Sequence, residues 1–128
     1  MKNISDCPIG VFDSGVGGIS VLSALRRELP FEDFVYFGDS AHAPYGTKTP
    51  EEVLQFSEQI LTHFRTVPVK ALVIACNTAT AAAADTLRQR YVQLPIIGVE
   101  PAIKPAATFT EHPKVLILAT PMTLCLEK

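Results

Sequence analysis

A cysteine at residue 76 stands where an apolar run meets a stretch rich in alanine and threonine. Residues 71–75 are apolar throughout, and Asn77 and Thr78 follow Cys76 directly. A thiol between a buried strand and the N-terminus of a helix lies where the helix dipole and free N–H groups favour the thiolate. We therefore interpret Cys76 as a base or nucleophile, with Asn77 or Thr78 as helix cap and ligand contact. The alternative is a small residue buried at the end of a strand.

A glycine-rich run, DSGVGG at residues 13–18, follows the first apolar run of the chain. Its glycines allow a tight turn and a close approach of the backbone to a ligand. The free N–H groups of the helix that follows attract an anion. The run is neither G-x-G-x-x-G nor a P-loop, so it does not indicate a nucleotide site. An equally weighted alternative is a plain strand-to-helix turn capped by Asp13 or Ser14.

A long connection follows the second apolar run, which ends at residues 38–40. It reaches Thr49 and is longer than a usual strand-to-helix loop. Long loops at a ligand-binding edge are often functional. An ordinary turn built on Pro44 and Gly46 explains the same residues. We expect His42, within this loop, to be a solvent-exposed histidine, since no partner at the spacing of a ligand pair is visible.

These candidates follow apolar runs that alternate with amphipathic stretches. The predicted strands are residues 9–12, 34–37, 71–75, 95–99 and 114–119, and the predicted helices are residues 18–29, 50–67, 77–91 and 102–109. Such alternation indicates a parallel sheet with right-handed crossovers. Runs that are apolar throughout suit a sheet covered on both faces. We predict an α/β fold with a flavodoxin-like, doubly wound parallel sheet, whose ligands bind outside the carboxyl ends of the strands.

The predicted topology brings the candidate side chains to one edge of the sheet. The first and third strands adjoin in this topology, so Asp13 and Ser14 are expected beside Cys76. Thr120 and Thr123 follow the predicted fifth strand and either bind a carboxylate or cap a helix. An acid beside a thiol orients it or shuttles its proton. The implied chemistry is acid–base or covalent work on a small anionic substrate, without a metal.

The clearest helix start lies at residues 49–52. Thr49 can cap the helix, Pro50 suits its first turn, and Glu52 completes a capping box. The predicted apolar face of this helix consists of Val53, Phe56, Ile60 and Phe64.

Composition narrows the class of protein. The chain has 128 residues, of which 48% are hydrophobic and 19% charged, which indicates one folded domain. Eleven basic and 13 acidic residues give a net charge of −2, so no basic excess favours nucleic acid. No apolar run approaches the length of a membrane span. Three cysteines without a C-x-x-C pair argue against a disulfide framework. We expect a cytoplasmic protein that binds neither nucleic acid nor membrane.

Five separated motifs resemble the glutamate racemase family in order and spacing. They are DSGVGG at residues 13–18, GD at 38–39, PYG at 44–46, CNTA at 76–79 and VEP at 99–101. The resemblance implies a cofactor-independent interconversion of L- and D-glutamate that supplies D-glutamate for peptidoglycan. In that reaction one cysteine thiolate removes the Cα proton, and a second cysteine delivers a proton from the opposite face.

The resemblance also implies roles for individual residues. Cys76 and Asp13 are the implied catalytic residues, Cys76 as the first cysteine and Asp13 as the acid that assists it. The implied substrate-contacting positions are Ser14, Pro44, Tyr45, Gly46, Asn77, Thr78, Thr120 and Thr123, with the choice between the last two left open. The implied substrate is glutamate, no cofactor or metal takes part, and the assembly is a homo-oligomer such as a dimer.

The second cysteine of the family has no counterpart in this sequence. It belongs to a Cys-Thr-His segment of a second α/β domain, and neither Cys7 nor Cys125 matches that position. We therefore expect the first half of a two-domain racemase fold. Residues 1–100 are predicted to form an incomplete first domain, and residues 101–128 to begin the second. The isolated chain is expected to be a poor or inactive racemase.

Two other functions remain open at this point. One is a non-catalytic α/β module that binds a small anion or the surface of a partner. The other is an amino-acid racemase of the same superfamily with a different substrate. A phospho-receiver module is less favoured, because it needs an acidic residue where Cys76 stands.

Overall fold

The computed structural model of the protein describes residues 3–125. The strands are β1 (Ile9–Asp13), β2 (Phe34–Gly38), β3 (Ala71–Ile74) and β4 (Ile96–Gly98). The helices are α1 (Ile19–Glu28), α2 (Pro50–Thr66), α3 (Asn77–Arg90), α4 (Ile103–Ala107) and α5 (Pro121–Cys125), with 3₁₀ turns at Ile4–Asp6 and Tyr45–Thr47.

The four strands form one parallel sheet in the order β2-β1-β3-β4. In register, Phe12 of β1 lies opposite Phe37 of β2 and Ile74 of β3. The strand order and the helical crossovers confirm the predicted doubly wound α/β architecture. They also place the carboxyl ends of β1 and β3 side by side, which is what positions the candidate site.

Helices cover the two faces of the sheet unequally. The larger core cluster joins α2 and α3 to the face that carries Phe12, Leu72 and Ile74. A smaller cluster on the other face is built on Val11 and Val73 and is covered by partly buried residues of α1. None of the ten residues of α1 is fully buried. Burial on both faces explains why β3 and the first four residues of β1 are apolar.

Helix α2 begins as its sequence predicts. The Glu52 backbone N–H donates to the Thr49 hydroxyl at 3.2 Å, and the Thr49 N–H donates to the Glu52 carboxylate at 2.7 Å. These two bonds form the capping box, with Pro50 in the first turn. Val53, Ile60 and Phe64 are buried in the larger cluster, as predicted, and Phe56 is partly buried against it.

The predicted fifth strand at residues 114–119 is wrong. This segment has no regular structure, and Leu116 and Leu118 are 85% and 89% exposed. A strand requires a neighbour for its backbone N–H and C=O groups, and an apolar sequence alone does not supply one. β4 and α4 are also shorter than predicted, at three and five residues.

Helix α5 returns to the domain and packs beside α3 and the turn at Tyr45–Thr47. Met122 is buried in the larger core cluster. This packing brings the residues around Thr120 to the N-terminus of α3. Within residues 3–125, no helix combines the length and apolar character needed to cross a membrane.

Candidate active site

The carboxyl ends of β1 and β3 meet at one edge of the sheet. Asp13 is the last residue of β1, and Cys76 lies two residues after β3. The Ala75 N–H donates to the Phe12 carbonyl at 2.8 Å, so pairing continues past β3. The predicted proximity of these two loops is confirmed: the Cys76 thiol donates to the Ser14 hydroxyl, with the sulfur and oxygen 3.6 Å apart.

Cys76 is itself the N-cap of α3. Its sulfur accepts a hydrogen bond from the Ala79 backbone N–H at 3.4 Å, and the residue is 7% exposed. The prediction that Asn77 or Thr78 caps the helix is therefore wrong, because helix geometry begins at Asn77 itself. A sulfur that faces free N–H groups at a helix N-terminus is placed where negative charge is stabilised.

The Asp13 carboxylate organises the glycine-rich loop. One of its oxygens accepts hydrogen bonds from the N–H groups of Gly15 and Gly18, each at 3.1 Å. Gly18 is required by this close approach, since a Cβ there would lie 2.6 Å from the Asp13 Cβ and 3.0 Å from the Ala75 Cβ. Asp13 is buried and also lines the cleft in front of Cys76.

Three threonine hydroxyls form a triangle beside the cysteine. The Thr78 hydroxyl lies 2.9 Å from that of Thr120 and 3.3 Å from that of Thr123, and the last two are 3.0 Å apart. The sequence did not decide whether Thr120 or Thr123 belongs to the site, and the structure shows that both contact Thr78. Hydroxyls that donate and accept can turn their hydrogens toward a carboxylate.

The loop at residues 44–46 is held by a buried carboxylate. The Tyr45 hydroxyl donates to Asp39 at 2.6 Å, and both Asp39 oxygens lie 2.9 Å from Nδ1 of His42. Burial, reinforced by the hydrogen bond to the Asp39 carboxylate, raises the pKa of Tyr45 far above its ordinary value. His42 was expected to be solvent-exposed, but it is partly buried, because it pairs with Asp39 and its ring stacks on Phe56 with centroids 4.0 Å apart.

Tyr36 is a site residue that the sequence analysis missed. Its hydroxyl donates to the Gly15 carbonyl at 2.8 Å and so fixes the glycine-rich loop from β2. Burial raises the pKa of Tyr36, and the nearby Asp13 and Cys76 charges raise it further. The available signal was a tyrosine near the carboxyl end of an otherwise apolar strand, where its hydroxyl reaches the ligand edge.

A cleft of about 520 Å³ lies at this edge of the sheet. Six predicted residues line it: Asp13, Cys76, Asn77, Thr78, Thr120 and Thr123. Ser14 borders it through its contact with Cys76, while Pro44 is exposed and Gly46 abuts Thr120. Tyr45 is 1% exposed, so its side chain serves the interior rather than the cleft surface.

Within the described part of the chain, no group of three His, Cys, Asp or Glu side chains is placed to hold a metal ion. The cleft instead offers one thiol, a buried carboxylate, several hydroxyls and the N-terminus of α3. That set can move a proton to and from sulfur and can hold the carboxylate of a small ligand.

Fold and site together define an α/β protein with a polar cleft at the carboxyl edge of a parallel sheet. A family model described as Asp/Glu/Hydantoin racemase matches residues 9–124. The chain belongs to this racemase family.

Its relatives include glutamate racemases that are about twice as long. The glutamate racemase of Clostridium acetobutylicum is 51% identical over 122 residues, which cover 95% of this chain and 48% of the relative. That of Bifidobacterium adolescentis is 56% identical over 122 residues, with 94% and 47% covered. The chain spans about half the length of the curated relatives it matches.

Solved glutamate racemases share the fold. The structure from Aquifex pyrophilus superposes with a TM-score of 0.80 at 36% identity, covering 91% of this chain and 46% of the other. The structure from Francisella tularensis in complex with D-glutamate gives a TM-score of 0.74 at 37% identity, covering 93% and 44%. The resemblance seen in the sequence motifs is thus confirmed, as is the parallel α/β architecture.

Proposed function

We propose that this chain supplies one half of a glutamate racemase site, in which Cys76 exchanges the Cα proton of glutamate on one face. The observation that carries the proposal is the Cys76 sulfur, which faces the cleft between the Ala79 N–H and the Ser14 hydroxyl. The family membership and the glutamate racemases among its relatives support the choice of reaction.

The chemistry requires a base that is close and sheltered from water, because a Cα–H bond is a very weak acid. The Cys76 thiolate takes the Cα proton, and the electron pair passes into the adjacent carboxylate as an enediolate. Return of the proton to the same face restores the original configuration. Inversion requires a second donor on the opposite face. We propose that Asp13 assists Cys76 by orienting the thiol and the substrate ammonium group.

The cleft suits the charges of glutamate. Its carboxylates find donors in the threonine triangle and at the N-terminus of α3, and its ammonium group finds Asp13. We propose Ser14, Asn77, Thr78, Thr120 and Thr123 as side-chain contacts, and Pro44, Tyr45 and Gly46 as backbone contacts. No cofactor enters this scheme.

Cys76 is the single cysteine of residues 3–125 that lines the cleft. Cys7 lies before β1, at the opposite end of the strands, and Cys125 is exposed at the end of α5. Because the chain offers one thiol to the ligand, we propose that it exchanges the Cα proton without efficient inversion.

The test follows L-glutamate and D-glutamate in D₂O with the purified chain. Loss of the Cα–H signal by NMR measures exchange, and circular dichroism measures inversion. We expect slow exchange with configuration retained, loss of exchange in Cys76→Ser, and no change in the control Cys125→Ser. Efficient inversion would overturn the one-thiol proposal. Binding without exchange would favour the small-anion module, and absence of both would overturn the assignment.

We also propose a cytoplasmic, self-associating protein that binds neither nucleic acid nor membrane. The three cysteines are free thiols, which suits a reducing compartment. The net charge of −2 offers little attraction to phosphate backbones. Exposed apolar side chains, such as those of Leu116 and Leu118, support association.

A further inference from the structure

We propose that Asp39 is a positioning residue, which holds the loop at residues 44–46 against the cleft. Asp39 belongs to the GD motif at residues 38–39, but the family resemblance assigned it no role, and it does not line the cleft. Its importance for catalysis rests on the proposed function. The effect of Asp39 on the position of the loop is independent of that function.

Asp39 joins the two loops that flank the site. Its backbone N–H donates to the Asp13 carbonyl at 2.9 Å, which fixes it beside the end of β1. Its carboxylate reaches the other way, accepting from the Tyr45 hydroxyl at 2.6 Å and lying 2.9 Å from Nδ1 of His42. At 6% exposure, this carboxylate depends on those partners for its stability.

Tyr45 transmits this constraint toward the cysteine. Its ring belongs to the same buried cluster as Cys76 and Met122. The next residue, Gly46, lies so close to Thr120 that a Cβ on it would fall 2.7 Å from the Thr120 Cγ2. Thr120 in turn bonds to Thr78. A continuous series of contacts therefore leads from Asp39 to the threonine triangle.

A purely fold-stabilising role does not explain this arrangement well. A buried carboxylate costs more to desolvate than an apolar side chain of similar size, and apolar replacements of buried charges are often neutral or stabilising. Here the Asp39 carboxylate accepts from the Tyr45 hydroxyl, and the next residue, Gly46, abuts Thr120, which lines the cleft. Local bonds of the turn, such as Lys48 N–H to the Tyr45 carbonyl at 3.1 Å, do not attach the loop to the sheet.

The experiment compares Asp39→Ala and Asp39→Asn with Asp85→Ala, which removes an exposed carboxylate that pairs with Arg88. Hydrogen exchange is followed by mass spectrometry on peptides that cover residues 44–48 and on peptides of α2. We expect Asp39→Ala to accelerate exchange of the loop roughly tenfold relative to α2, consistent with loss of a charge-assisted hydrogen bond. Asp39→Asn retains an acceptor for the phenol and should restore most of the protection.

A second measurement reads the cleft directly. In a background with Cys7→Ser and Cys125→Ser, alkylation of Cys76 by iodoacetamide is timed with and without L-glutamate. We expect faster alkylation in Asp39→Ala than in Asp85→Ala, and weaker protection by glutamate. If glutamate fails to protect even the parent chain, the proposed function fails, and the exchange data still decide the role of Asp39.

The proposal is overturned if loop exchange and Cys76 alkylation in Asp39→Ala match those of Asp85→Ala. It is also overturned if exchange rises equally in the loop and α2 and Asp39→Asn gives no rescue, because that result describes general destabilisation. If Asp39→Ala does not fold, Tyr45→Phe replaces it. This variant removes only the hydroxyl that Asp39 accepts from, and it is expected to loosen the same loop.

Discussion

Two phenols beside the cleft stay neutral because of where they lie. Tyr45 is enclosed by the larger core cluster and donates to a carboxylate, and Tyr36 donates to the backbone of the glycine-rich loop. In both cases burial is the first cause of a raised pKa, and nearby negative charges add to it. A neutral phenol is what both hydrogen bonds require, since a phenolate cannot donate.

Folding stability should therefore fall at alkaline pH. Unfolded tyrosine loses its proton near its ordinary pKa of 10.0, while folded Tyr45 keeps it, so the unfolded state binds fewer protons and is favoured as pH rises. We expect wild type to lose up to about 1.4 kcal/mol per pH unit above this pKa through Tyr45. Urea unfolding between pH 8 and 11 measures the slope.

Tyr45→Phe is the comparison for this slope. At pH 8 the variant should be less stable by about 1.5–3 kcal/mol, because it lacks the hydrogen bond to a charged acceptor. The gap to wild type should narrow as pH rises, since the variant has no Tyr45 proton to lose. Parallel curves for the two proteins would show that Tyr45 ionises equally in both states.

At the level of residues, the rule that ligands bind outside the carboxyl ends of parallel strands pointed to Asp13, Cys76 and Thr78 from the sequence. Each lies within three residues of the end of an apolar run, so its position could be inferred from the local sequence. The Tyr36 contact with Gly15 joins residues 21 apart, so the sequence shows a tyrosine near the end of a strand but does not show its partner. Asp39 also directly follows a strand. Its contacts with His42 and Tyr45 depend on the path of the following loop, so they are seen only in the structure.

At the level of elements, the 3₁₀ turn at Tyr45–Thr47 and helix α5 meet through a glycine. A Cβ on Gly46 would lie 2.7 Å from the Thr120 Cγ2 and 2.8 Å from its Cβ. These are branched, stiff side-chain atoms next to the backbone, so the turn and α5 must separate to admit a methyl group. The close fit is what holds the threonine triangle beside the turn.

Gly46→Ala should accordingly destabilise the fold by about 1–3 kcal/mol, the usual cost of overpacking. Gly15→Ala is the matched control, because a Cβ there meets nothing within 4 Å. Urea unfolding compares the two, and Gly46→Ala combined with Thr120→Ala should recover part of the loss. Equal stability of the two single variants would contradict the close contact.

Elements whose signals are local were predictable, and those that depend on a partner were not. The capping box at Thr49 predicted the start of α2. The alternation of apolar runs with amphipathic stretches predicted the parallel sheet that β1 to β4 form. Residues 114–119 read as a strand because of their apolar character, but a strand exists only beside another strand. The N-cap of α3 was also predicted wrongly, because sulfur is an unusual N-cap acceptor.

At the level of the whole molecule, several large apolar side chains lie open to solvent. Phe31 is fully exposed, and Phe109, Leu116 and Leu118 are more than 80% exposed. Leu116 and Leu118 belong to the segment that lacks regular structure next to the cleft. Phe109 and Leu116 line the same groove, and exposed apolar side chains that lie together are typical of interaction sites.

We expect the chain to self-associate through this segment in a concentration-dependent manner. Leu116→Ser with Leu118→Ser should shift the equilibrium toward monomer, because it removes apolar area that association buries. Sedimentation velocity over a range of concentrations measures the shift, with Phe31→Ser as a control at a separate surface. A chain that remains monomeric throughout, or that responds only to Phe31→Ser, would contradict this expectation.

The bonds that assemble the cleft span long stretches of chain. Ser14 and Cys76 are 62 residues apart, and Thr78 and Thr120 are 42 apart. Contacts of such separation form late, since closing large loops is entropically expensive before the sheet exists. We therefore expect a partly folded chain to have helices but no cleft. A ligand can protect the Cys76 thiol from alkylation only where the cleft has formed. The fraction of thiol that is protected therefore measures the fraction of chains that are fully folded.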